Sequence, residues 1–135
     1  MNIFVFIAGI LSLVAFLAHA IIGDKEYRQL RPAGDSDEKK QETWIQARAG
    51  WHWVSVDLLL SGILCIAIAT SNLVKAKSEV LLLLSIYFLI TGIVWLCTVI
   101  ISKNTTKQIV VLGQWIFCFI VAALLYYGRL NSDYY

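Results

Sequence analysis

Four residues in this 135-residue chain place ionisable or strongly polar side chains inside long apolar runs: His19, His52, Asp57 and Gln114. Such groups are costly to remove from water, so they are the first candidates for function. His19 and His52 are the chain's two histidines. Two imidazoles facing each other across a helix pair can serve as the axial ligands of a b-type haem, with an arginine such as Arg48 on a propionate. Arg28 and Arg31 lie nearby in sequence, and Phe16, Trp51 and Trp53 could wall such a pocket. The competing expectation is two half-solvated imidazoles that cap or hydrogen-bond the adjoining backbone, or that handle a proton. A metal ion is a weaker expectation than haem, because two histidines need further ligands. Asp24 and Glu26 are the nearest acids and are assigned to a solvated loop.

Asp57 follows His52 by five residues, which on a helix is about 7.5 Å further along and roughly 140° around, so the two do not share a face. Gln114 and Ser12 fall at a similar depth in other runs, and the three are expected to form one polar cluster. A buried aspartate there stays protonated or shares a hydrogen bond. It would either fix the helices against each other or serve as an ion- or proton-coupled site.

The elements that position these groups follow from composition. The chain is 59% hydrophobic and 15% charged with a mean hydropathy of +0.74. That is too apolar for a water-soluble domain of this size. Four runs, 3–22, 49–69, 80–101 and 109–127, each approach the roughly 20 residues needed to span a hydrocarbon layer. They are apolar on every face, which excludes barrel strands. The expectation is an all-α, up-down-up-down integral membrane four-helix bundle in one domain, with helices over about 3–22, 38–69, 80–101 and 109–127. Ala18-His19-Ala20 has the form of a signal-peptidase site, but no Lys or Arg precedes it and the run is long for a signal core, so it is read as a helix.

The 23–48 connector begins with a charged stretch that extends the first helix until Pro32 and Gly34 break it. Asp35 and Glu38 have capping-box spacing for a second helix that runs on into the apolar stretch. On that helix Trp44, Arg48, Trp51 and Ser55 recur at intervals of four, three and four residues, a stripe suited to an aromatic belt with a snorkelling arginine. Eight basic residues fall on the connector side (Lys25, Arg28, Arg31, Lys39, Lys40, Arg48, Lys103 and Lys107) against Lys75, Lys77 and Arg129 on the other. By the positive-inside bias the connector is cytoplasmic and both termini are outside. The net charge of +2 gives no nucleic-acid footprint.

Cys65, Cys97 and Cys118 stand alone in apolar runs and read as packing residues, with no disulfide or metal spacing. There is no Ser-His-Asp set, H-E-x-x-H, C-x-x-C or phosphate loop to argue for an enzyme. His19-x-x-x-Gly23, then Pro32, then Arg48-x-x-Trp51-His52 resembles a pattern in small four-helix bacterial inner-membrane proteins. The resemblance covers mainly the first two helices and implies a bacterial inner-membrane setting and interest in the two histidines, with no activity to carry over. Three functions are therefore expected in turn. The first is a haem- or metal-binding membrane protein using His19, His52 and Arg48. The second is a non-enzymatic accessory protein with a membrane-protein partner or a second copy, and the third a proton-linked transporter using Asp57.

Overall fold

The computed structural model describes residues 1–33, 38–102, 109 and 112–131. Among them the regular structure is all helical. The first helical rod runs from Ile3 to Gln29 in three sections: α1 (Ile3–Leu17), a π-helical turn (Ala18–Gly23) and α2 (Asp24–Gln29). After the connector come α3 (Glu38–Thr70), α4 (Lys77–Ile101) and α5 (Gln114–Leu130). The four rods form a helical bundle. Pro32, the chain's one proline, falls where α2 has ended, so no helix interior loses a hydrogen bond to it. The capping residue expected at Asp35 lies outside the described residues.

Three rods are long and apolar enough to cross a membrane: Ile3–Gln29, Glu38–Thr70 and Lys77–Ile101. The fourth, α5, is apolar but has 17 residues. Its helix starts at Gln114 with Gly113 as N-cap, five residues beyond the start of the apolar run at Ile109. Large apolar side chains such as Ile7, Val14, Leu60, Leu83 and Ile120 face outward.

The rods pack as α3 on α1, α1 on α5 and α5 on α4. Backbones close in where glycine permits: a Cβ on Gly9 would sit 3.1 Å from the Gly62 carbonyl oxygen, and one on Gly62 3.2 Å from that of Gly9. This reciprocal small-residue contact sets how near α1 and α3 lie. The core between the rods is built from Val5, Ala8, Cys65, Leu81, Val121 and Leu125, all fully buried. At the end remote from the connector, Asn2 caps α1 by accepting from Val5 N–H and donates to the Gly128 carbonyl at 2.7 Å, tying α1 to α5. Among the described residues α3 and α4 have no comparable backbone approach, and Tyr87 of α4 reaches Asp57 of α3 through its side chain.

Candidate functional site

The connector end of the α1–α3 pair holds the densest set of polar contacts in the described structure. It begins with the π turn. An extra residue in a helical turn shifts everything after it by about 100° around the axis and disturbs the regular carbonyl ladder. Within this turn the His19 carbonyl accepts a hydrogen bond from the Trp51 indole N–H at 2.9 Å. The same indole lies flat against the His19 imidazole, centroids 3.7 Å apart and planes 7° from parallel. Trp51 fits only because residue 23 is glycine: a Cβ there would fall 2.1 Å from the indole ring.

His19 Nδ1 lies 2.9 Å from Ser55 Oγ, and Ser55 Oγ is also 3.4 Å from the Trp51 carbonyl. A hydroxyl has one hydrogen to give, so both contacts are made together when Ser55 donates to the carbonyl and the His19 Nδ1–H donates to Ser55. His19 Nε2 then carries the lone pair.

Asp24 organises the second half of the cluster. The sequence placed it in a solvated loop. In the folded chain its side chain is 10% exposed, because the π turn rotates it towards α3, while Glu26 stays exposed. Asp24 Oδ1 accepts from Arg48 Nε at 2.8 Å and from His52 Nε2 at 3.2 Å, and Oδ2 pairs with Arg28 Nε at 3.0 Å. Asp24 lies beyond the apolar run of 3–22. The Arg48 hydrogen bond, helped by the charges of Arg48, Arg28 and His52, holds its carboxyl below the ordinary carboxylate range against the opposing effect of burial.

One helical turn further out, Trp44 donates its indole N–H to the Tyr27 carbonyl at 2.9 Å. The Arg48 and Arg31 guanidinium groups lie 5.4 and 5.9 Å from the Trp44 ring centre. The stripe Trp44, Arg48, Trp51 and Ser55 is therefore the surface on which the π turn and α2 are seated. Of the proposed pocket walls, Trp51 is in the cluster and Trp53 points away, 76% exposed.

Comparison with known protein families, with curated proteins and with solved structures finds no match. No group of three or more His, Cys, Asp or Glu side chains is arranged for a metal ion among the described residues.

The second candidate set is distributed through the fold. Ser12 is fully buried and turns its hydroxyl back to the Ala8 carbonyl in its own helix at 2.9 Å. Gln114 is exposed at the start of α5. Asp57 is exposed on α3 and accepts from the Tyr87 hydroxyl of α4 at 2.9 Å. No hydrogen bond among the described residues joins Asp57, Gln114 and Ser12. Tyr87 is the partner that spacing misses, and it carries a signal: the other five tyrosines lie at or beyond the ends of the apolar runs, and Tyr87 alone falls well inside one.

Proposed function

We propose that this chain is a multi-pass protein of the bacterial inner membrane, with the connector in the cytoplasm and both termini outside, that acts without catalysis by associating with a second membrane protein or a second copy. Three spanning-length helices and an apolar exterior support the membrane setting. The observation that carries association is the Asp57–Tyr87 pair. Asp57 lies eight residues into the apolar stretch of α3, about 12 Å beyond its start and close to the middle of a bilayer. Its outward exposure is the reverse of the rule that ionisable side chains at such depth face protein or water. Tyr87 satisfies one carboxylate oxygen, and a polar group from a neighbouring helix would complete the set.

Purification in a mild detergent is expected to give a complex larger than one chain. Asp57→Leu with Tyr87→Phe is expected to shift it to the single chain while Asn2 and the core still hold the fold. A wild-type sample that runs as one chain, or a double variant with an unchanged assembly, would count against association.

A second reading has its own observation. The Ser55 contact orients His19 with Nε2 unprotonated, and a hydrogen bond of this kind commonly fixes an iron-ligating imidazole. His19 and His52, with Arg48 beside them, would hold a b-type haem if His52 turned from Asp24 towards it. This reading expects a Soret band that sharpens on dithionite reduction and disappears in both His19→Ala and His52→Ala. A colourless, iron-free protein that stays colourless after haem is added would end it.

A further inference from the structure

The Asp24 cluster uses its own polar groups on one another, but it leaves a groove just outside it. Where α2 ends and α3 begins, Tyr27, Leu30, Pro32, Trp44 and Ala47 line a shallow, mainly apolar trough of about 320 Å³. Leu30 is 70% exposed in it, so apolar surface is left open. Lys39 and Lys40 stand at the rim, and no carboxylate lines the trough among the described residues. The Arg31 guanidinium lies above the Trp44 ring that forms one wall.

Position decides what such a groove meets. On the membrane reading above, which this inference rests on, α3 enters the hydrocarbon layer near residue 49. Trp44 is then about 7.5 Å outside the layer and Lys39 and Lys40 about 15 Å outside it, their long stems able to reach back. The headgroup region is roughly 5–8 Å thick on each face, so the trough floor, from Ala47 about 3 Å outside the layer to Trp44, spans the headgroup region, and Lys39 and Lys40, which start beyond it, meet the phosphates by folding their stems back. A volume at the low end of ordinary ligand sites suits a headgroup with its glycerol. We propose that this groove binds the head of one anionic phospholipid, its glycerol and ester carbons on Leu30, Pro32, Trp44 and Ala47 and its phosphate facing Lys39, Lys40 and Arg31. The ligand is a lipid of the surrounding leaflet, since only a molecule with both an apolar body and an anion uses both halves of the groove.

The test uses the full chain reconstituted in vesicles of phosphatidylcholine with one quarter phosphatidylglycerol, extracted in mild detergent and weighed intact by native mass spectrometry. Wild type is expected to retain phosphatidylglycerol over phosphatidylcholine by roughly tenfold relative to their ratio in the vesicle. The double variant Lys39→Ala/Lys40→Ala should lose that preference, and Ala47→Trp, which fills the trough, should lose retention of both lipids. Glycerol phosphate added in place of the lipid should not be retained. Equal retention of the two lipids by wild type, an unchanged preference in the double variant, or a co-purified polypeptide seated at these residues in place of lipid would overturn the proposal. Alkaline carbonate extraction of the same vesicles reads the membrane assignment separately: a chain that resists extraction without a lipid preference refutes the groove and leaves the membrane reading intact.

Discussion

Gly23→Val is expected to lower the melting temperature of the detergent-solubilised protein by on the order of 10 °C. Overpacking a filled site typically costs about 1–3 kcal/mol, and the upper end applies because the obstructed group cannot move aside. The first side-chain carbon at position 23 would overlap the Trp51 indole, with ring atoms at 2.1, 2.7 and 2.9 Å. That indole is held by the hydrogen bond to the His19 carbonyl and by the stack on the His19 ring. Either the ring leaves, releasing both contacts, or the π turn unwinds. Gly23→Ala should already be harmful, since alanine carries the offending carbon. Trp51→Leu should make Gly23→Ala nearly harmless, so that the two changes together cost much less than their sum. Tryptophan emission reports the same event, shifting to longer wavelength as Trp51 is expelled. A Gly23→Val protein that melts with wild type would show that the π turn and the indole do not hold each other.

How far this arrangement could be read beforehand depends on what residue spacing measures. Along a helix, spacing gives depth well: His19 and His52, read from the sequence as able to face each other across a helix pair, are both in or beside one cluster. Spacing gives direction around the axis only while the turn is regular. The π turn over Ala18–Gly23 rotates α2 relative to α1, and nothing in A-H-A-I-I-G marks it. That rotation brings Asp24 under Arg48 and His52 and carries the Tyr27 carbonyl to Trp44, so the central acid of the cluster was assigned to a loop.

The stripe from Trp44 to Ser55 was legible as a stripe, since its intervals survive in any α-helix. Whether it faced headgroups, a partner or its own chain was not, because each suits tryptophan and arginine equally. The His-x-x-x-Gly and Trp-His pattern now has a physical content in which Gly23 and Trp51 are a matched pair. For Asp57 and Gln114, similar depth suggests contact, but helices at one depth meet only if they are neighbours. The rods α3 and α5 each pack on α1 and stand on either side of it, so Asp57 reaches Tyr87 across the open side instead.

The second large effect is expected from Asp24→Asn, a change that keeps the size of the side chain and removes its charge. One carboxylate accepts from Arg48, His52 and Arg28, so the substitution weakens three contacts drawn from α2 and α3 at once. A half-buried guanidinium left facing a neutral amide keeps its desolvation cost and loses its counter-charge. Asp24→Asn should therefore melt below Arg28→Gln and below Arg48→Gln, each of which removes one donor and leaves the acid the others. Trypsin should cut faster after Arg28 as α2 lifts from α3.

Acid supplies a second readout with a defined sign. Because the folded carboxyl titrates below its ordinary range, the stability it contributes is fully present above the unfolded value near 4 and is lost as pH falls through the folded one. The gap in melting temperature between wild type and Asp24→Asn should thus be present at pH 7 and close as the pH is taken below about 4. A gap that persisted at low pH would locate the damage in amide geometry and not in the lost charge. No gap at pH 7 would mean that α2 is held by Trp44 and Trp51 alone.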